Sequence, residues 1–326
     1  MGRAGIRAGG YLLGILLLVA ALAGCGLHAE PDGDALDPAA EAAAGAAPEA
    51  DSVPEADSVL DVAFYSPALG QDLSYLVWLP PDYDADSAHR YPVLYLLHGI
   101  GGDNREWLGY GVDTTAACLL GAGRIQALII VLPQGDEGYW LNHADGPRWG
   151  DAIAEDLVHY VDATYRTLPD RASRAVGGLS MGGHGALQLA FNHPDVFGVA
   201  GAHSPTLRPR AEAPYYFADR ETFAKVDPIT LARRDDGLDA IDIWLDAGGA
   251  DPWLPRIELL HDTLDKRGVS HTWQVWEGDH ESEYWTAHVA DYLAFYSQAL
   301  TGEKGRARTT TDAATLAACA PPVEPR

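Results

Sequence analysis

The chain has 326 residues, 47 Asp and Glu against 22 Lys and Arg, a formal net charge of -25, and three cysteines. That charge excludes a nucleic-acid binder, which needs a Lys/Arg surface to neutralise phosphates, and excludes docking on anionic lipid head groups through charge. Three cysteines are too few for a disulfide scaffold or a Cys-rich zinc module, while 47% hydrophobic residues and 9 Trp supply material for a buried core.

Residues 1–24 place Arg3 and Arg7 ahead of an apolar run from Tyr11 to Ala23, the layout of a secretory signal. The run is shorter than the roughly 20 apolar residues of a spanning helix. It ends in Leu22-Ala23-Gly24-Cys25, which resembles a bacterial lipobox: small residues admit the peptidase, and the thiol takes the diacylglycerol. The expectation is an exported protein held through Cys25 on the extracytoplasmic face of a bacterial membrane, since two acyl chains suffice for stable anchoring. Residues 26–58 hold nine acids, four prolines and no Lys or Arg. With no apolar periodicity, 25–58 is predicted to be an acidic, disordered tether.

From Val59 the pattern alternates between β-rich and helical segments. Strands are predicted at Leu73–Leu79, Val93–Leu97, Ala127–Leu132, Arg174–Leu179, Val199–Ala202, Ile241–Leu245 and His271–Trp276. Helices are predicted at Ala152–Tyr165, Gly182–Phe191, Leu254–Leu264 and Glu283–Leu300 from their apolar periodicity. Several strands are apolar throughout, as strands buried on both faces of a parallel sheet are. The prediction is one α/β domain over 59–301, with a mainly parallel sheet and helices on both faces. Most of the acidity falls inside it. Pro205–Arg234 is too long for a turn and is expected to cover part of the site. Residues 302–326 read as a flexible tail. In an exported protein Cys118 and Cys319 can pair; alternatively Cys118, in an apolar stretch, is a small buried hydrophobe, and the place of Cys319 in that tail weighs somewhat against a bridge.

In parallel sheets the site lies beyond the carboxyl ends of the strands, so the residues following each strand carry the argument. After Arg174–Leu179 comes Gly178-Leu179-Ser180-Met181-Gly182, a G-x-S-x-G between a strand and a helix. A strained turn there exposes the Ser hydroxyl, and Gly178 and Gly182 let the backbone fold back. The helix that follows aims its N-terminus at the Ser and favours developing negative charge. After Val93–Leu97 comes His98-Gly99-Ile100-Gly101-Gly102, an HG-type loop that supplies a second oxyanion N–H. The donors expected are the amides of Met181 and Ile100; His98 reads as a brace of the loop, not a base.

Two acids compete after Ile241–Leu245: Asp246 at the strand end and Asp251 beyond a Gly turn, of which Asp251 is favoured because a loop can carry it to the base. After His271–Trp276 comes Glu277-Gly278-Asp279-His280, with His280 where a base belongs. His271 starts a strand at the wrong end of the sheet, and His288 falls inside a helix. In triad logic Ser180 is the nucleophile, His280 takes its proton, and Asp251 holds the imidazole. Tyr139, Trp140 and Trp149, in the long loop after Ala127–Leu132, either stack on a substrate or pack that loop; Trp285, near His280, either walls the site or sits in the core. No H-E-x-x-H occurs, and His143 and Asp145 lack a second pair at ligand spacing, so no metal is expected.

The segments Tyr91–Gly99, Gly178–Ala186 and Gly278-Asp279-His280 with Trp285 together resemble the esterase D / feruloyl esterase group of α/β-hydrolases, which includes the mycobacterial mycolyltransferases. The resemblance covers about residues 60–300. It implies an α/β-hydrolase fold without a large cap domain, a Ser180–His280–Asp251 triad, oxyanion donors at Ile100 and Met181, and no metal or organic cofactor. Asp279 stands where the family more often has Gly. The function expected is a serine carboxylic-ester hydrolase acting through an acyl-enzyme on feruloyl, acetyl or other acyl esters of carbohydrate or small alcohols. The alternatives are transfer of the acyl group to a sugar hydroxyl and a non-catalytic surface-binding lipoprotein. The acidic domain above an often anionic membrane favours neutral or carbohydrate-linked substrates.

Overall fold

The computed structural model describes residues 59–300 and 313–322. The signal, Cys25 and the tether at 25–58 lie outside the described residues. Eight strands form one sheet: β1 (Val59–Ser66), β2 (Gln71–Trp78), β3 (Val93–Leu97), β4 (Ile129–Pro133), β5 (Arg174–Leu179), β6 (Val199–His203), β7 (Asp242–Gly248) and β8 (His271–Trp276), in the order β1-β2-β4-β3-β5-β6-β7-β8. β2 runs antiparallel to β1 and β4, and every other pairing is parallel. This is the α/β-hydrolase architecture expected.

The central strands are buried on both faces, and their residues alternate between two cores. Val93, Tyr95 and Leu97 of β3 point into one and Leu94 and Leu96 into the other. The first core lies under α4 (Val158–Thr164), α5 (Met181–Asn192), α7 (Pro228–Arg234) and α8 (Leu254–Lys266). The second lies under α2 (Val112–Gly121) and α9 (Ser282–Ala299). The helix predicted over Ala152–Tyr165 begins earlier: α3 (Trp149–Asp151) passes through a π-helical turn, Ala152–Leu157, into α4. Short helices α1 (Glu106–Gly109) and α6 (Arg220–Val226) were not foreseen, nor were α2, α7 and β1. β1 is an edge strand of mixed exposure, so its alternation is weak.

The order reverses at β3, which has β4 on one side and β5 on the other. Leu97 pairs with Gly178, Leu179 with His203, His203 with Asp246, and Gly248 with Trp276. The loops after β3, β5, β6, β7 and β8 therefore open side by side, at the crevice where such sheets bind ligands.

The tail requires a correction. Within 302–326, α10 (Ala313–Cys319) is a helix, and a disulfide joins Cys319 to Cys118 of α2 with a Cα–Cα distance of 5.6 Å. Cys319 is buried and Leu316 packs on the second core, so this segment has an apolar face with a partner. The bridge spans 201 positions; the chain-entropy argument gives a loop that long about 5 kcal/mol, of which native bridges typically deliver about 2–5 kcal/mol. Replacing both cysteines by Ser is expected to lower the urea midpoint accordingly. An unchanged midpoint would show that the bridge only decorates an already docked helix.

Candidate active site

β5 ends at Leu179 and α5 begins at Met181, leaving Ser180 alone at the corner with φ 53° and ψ -115°. For a residue with a side chain this is strained backbone. Close approach makes the flanking glycines necessary: a Cβ on Gly178 would run into the Gly182 backbone, and one on Gly182 into the Leu97 carbonyl. The Ser180 amide donates to the His203 carbonyl at 3.0 Å, and the Thr206 amide donates to the Ser180 carbonyl at 2.9 Å, so β6 and its exit hold the corner.

The three residues expected to act together meet. Ser180 Oγ lies 2.9 Å from His280 Nε2, and His280 Nδ1 lies 3.0 Å from Asp251 Oδ2. The turn after β7 is clamped to the loop carrying His280, because the Gly249 amide donates to the Trp276 carbonyl and the Ala250 amide to the Gly278 carbonyl. Asp251 is 4% exposed; its Oδ1 accepts from the Trp253 amide at 2.7 Å. Asp279 Oδ1 accepts from the His280 amide at 2.7 Å, which gives the acid at that position a local role in shaping the loop.

Two hydroxyls that sequence reasoning missed complete the relay. Ser204 Oγ donates to Asp251 Oδ2 and stands 3.3 Å from His280 Nδ1; it too has positive φ, 52°. Thr206 Oγ1 lies 2.8 Å from Ser180 Oγ. Because His280 Nδ1 donates to Asp251, its Nε2 must accept, so the Ser180 proton points at Nε2 and the Thr206 hydroxyl donates to Ser180 Oγ. Ser and Thr are common in loops and carry no motif here, so only the fold reveals them.

The loop after β3 is braced from three sides. The Gly135 amide donates to His98 Nε2 at 2.9 Å, so Nδ1 carries the proton and donates to the Gly99 carbonyl at 2.8 Å. His98 is thus a brace with both ring nitrogens engaged. The Gly99 amide donates to Glu106 Oε2 at 2.6 Å, and Glu106 Oε1 accepts from Tyr110 at 3.1 Å. Glu106, also unforeseen, occupies the amide next to Ile100. The amides of Ile100 and Met181 donate to no other described residue. They remain available to an oxyanion formed beside Ser180.

Asp246 is fully buried and faces away from this relay. Its Oδ2 accepts from His203 Nδ1 and Trp244 Nε1, both at 2.7 Å; its Oδ1 accepts from Tyr284 at 2.8 Å and Tyr292 at 3.2 Å. His203 Nε2 bonds Tyr296 at 2.8 Å. Burial, and then the Asp246 carboxyl beside them, hold the Tyr284 and Tyr292 hydroxyls far above the usual phenol range. Asp246 thus docks α9 on the sheet. His288 stacks on Trp276, and His271 bonds His261 at 2.7 Å, both apart from the triad.

The loop aromatics fall on the packing side. Tyr139 and Trp140 are 1% exposed and Trp149 is buried, so none offers a face to a substrate. Trp140 lies against Gly185 and Gly135, where no Cβ would fit, and meets Trp149 edge-on. A Trp in a long loop reads the same in sequence whether it faces in or out. Trp285 stands edge-on to His280 at 5.1 Å and donates to the His203 carbonyl at 3.3 Å, walling the imidazole. Pro205–Arg234 covers one side of the site through Thr206. His184 of α5 ties that cover down at the Val226 carbonyl, 3.0 Å away, and its burial pushes its pKa down to about 4, which keeps it neutral.

Comparison with known proteins places the chain in a family. A family model described as putative esterase matches residues 66–296. An esterase of Mycobacterium tuberculosis is 36% identical over 146 residues, 43% of this chain and 31% of that protein, so the chain spans about a third of that relative's length. The acetyl esterase of Caldicellulosiruptor saccharolyticus is 22% identical over 269 residues, covering 74% of this chain and 98% of the relative. Among solved structures, a ferulic acid esterase superposes with a TM-score of 0.68 at 25% identity, covering 74% of this chain and 98% of its own. The fluorophosphonate-binding serine hydrolase F of Staphylococcus aureus shares the fold with a TM-score of 0.64 at 20% identity, over 74% of this chain and 98% of its own.

Proposed function

This chain belongs to the putative esterase family; from that premise we propose that it is a carboxylic ester hydrolase that works through an acyl-enzyme on Ser180. The observation that carries the reading is the unbroken line from Ser180 Oγ through His280 to Asp251, with contacts of 2.9 and 3.0 Å. Ser180 Oγ attacks the ester carbonyl carbon while its proton passes to His280 Nε2, and Asp251 steadies the imidazolium. The carbonyl oxygen becomes an oxyanion that accepts from the Ile100 and Met181 amides. Collapse expels the alcohol, which leaves with the proton from His280, and the acyl group stays on Ser180. Water then gives its proton to His280 and attacks the acyl carbon; the proton returns to Ser180 as the acid departs.

The substrates we propose are acyl esters of carbohydrates or small alcohols, acetyl and feruloyl esters first. The likeness to an acetyl esterase and a ferulic acid esterase supports this. The proposal includes a lipid on Cys25, supported by the small residues before it and the apolar run behind it.

A fluorophosphonate probe tests the nucleophile. The expected result is one equivalent of label on the tryptic peptide holding Ser180, with esterase activity lost in parallel. Label on another residue, with Ser180 unmodified and activity gone, would sink the assignment.

A further inference from the structure

We propose that Arg208 is a specificity-determining residue: its guanidinium is a subsite for a single carboxylate carried by the ester substrate. The inference rests on the serine-esterase reading above and extends it to the substrate's charge.

Arg208 sits where two arms of the triad converge. It follows Thr206, whose hydroxyl holds Ser180 Oγ, by two residues. Its guanidinium carbon lies 5.0 Å from the ring centroid of Trp253, which is two residues beyond Asp251 and gives its amide to that acid. Nε donates to the Tyr139 hydroxyl at 2.6 Å, and the Tyr139 ring centroid is 5.9 Å from the guanidinium carbon. The intervening Leu207 is buried, and its carbonyl accepts from Arg256 Nε at 3.0 Å, so the backbone beneath Arg208 is pinned. The side chain is therefore fixed by one hydrogen bond and a cation–π contact, which spares a ligand most of the cost of ordering it.

What remains free is the binding end. Nη1 and Nη2 have no hydrogen-bond or ion-pair partner among the described residues, and the residue is half-buried. The chain's acids outnumber its bases 47 to 22, yet no acid among the described residues pairs with this guanidinium. Arg148, Arg174 and Arg267 each pair with an aspartate. Asp136 and Glu137 act on the neighbouring Tyr216, as Arg208 does, yet neither is within ion-pair distance of Arg208. A planar fork of paired N–H donors matches the two oxygens of a carboxylate, and such charge-assisted bidentate pairs are among the stronger polar contacts. The net negative charge repels polyanions at long range; one fixed guanidinium on the segment that carries Thr206 selects a substrate with one carboxylate at short range. A uronic acid and a simple aryl carboxylate share that chemistry.

The test uses two isosteric pairs, because the carboxylate could stand on either side of the scissile bond. On the alcohol side, 4-acetoxybenzoate is compared with 4-acetoxybenzamide. On the acyl side, methyl 4-carboxybenzoate is compared with methyl 4-carbamoylbenzoate. The parent protein is expected to prefer the carboxylate member of one pair in kcat/KM. Arg208→Gln is expected to cut that preference by about 10- to 100-fold, in keeping with a charged hydrogen-bonded pair, and Arg208→Lys to restore part of it. The readout is the ratio within a pair, so a fold-wide defect, which lowers both members equally, overturns the proposal. So does a parent protein that prefers neither carboxylate. Failure of the serine-esterase reading is recognised separately, as Ser180→Ala retaining turnover of the neutral esters.

Discussion

Ser180→Gly is expected to lower kcat by on the order of 10⁶-fold while leaving a protein at least as stable as its parent. The loss follows from the relay: without Oγ, His280 Nε2 faces no nucleophile, and only the Ile100 and Met181 amides remain to polarise an ester. The stability result follows from the backbone. Ser180 is held at φ 53° and ψ -115°, a conformation that costs a residue with a Cβ about 1–3 kcal/mol. Glycine adopts positive φ without that cost, and the gain outweighs or balances the roughly 0.4–1 kcal/mol that its freer unfolded chain takes back. Esterase assays and thermal melts on one preparation check both halves. Residual turnover above a thousandth of the parent's would remove Ser180 as nucleophile. A melting point several degrees lower would mean that the corner is not strained.

Asp251→Asn and Asp246→Asn are expected to fail in different ways. At 251, the Asn oxygen would keep the Trp253 amide, turning its NH2 toward His280. Nδ1 must then accept, the imidazole proton moves to Nε2, and the base that Ser180 needs is gone. The wrong tautomer costs about 10⁴-fold in kcat in the Ser-His-Asp template. The melting point should scarcely move. At 246, four donors converge on two carboxyl oxygens, and an Asn NH2 would confront two of them. A buried unsatisfied group costs about 1–3 kcal/mol, more where charge is involved, so the main effect is on stability and on the docking of α9. The pair is read by kcat beside the urea midpoint. If Asp246→Asn stopped turnover at unchanged stability while Asp251→Asn did not, the acid of the relay would be Asp246.

The line between what was legible in the sequence and what was not follows the range of the interaction. The strand–Ser180–helix corner is a local device: spacing, two glycines and an apolar strand suffice to announce it. The carboxyl ends of β7 and β8 were legible as well, and with them His280. Choosing Asp251 over Asp246 rested on loop reach, and the register of β6 with β7 gives that choice its geometry. That register buries Asp246 against His203 and the tyrosines of α9, and the Gly248–Asp251 turn swings the second acid over the imidazole. Ser204 and Thr206 had no local signature, because each acts on a partner from another strand exit; Glu106 turns back on Gly99 of its own loop, where no motif marks it. Arg208 was equally silent, its meaning coming from Trp253 and Tyr139.

By itself, then, the sequence determined the strand–helix alternation, the strand–Ser180–helix corner, the glycine-rich loop after β3 and the place of His280 after β8, since these arise from short-range backbone preference and from burial of apolar periodic faces. Only the tertiary structure decided which hydroxyls orient the relay, that Tyr139, Trp140 and Trp149 turn inward, and that Cys319 reaches Cys118 across 201 positions. Those outcomes depend on which surfaces meet when the sheet and its two helical layers close, and residues far apart in the chain carry no mark of that meeting.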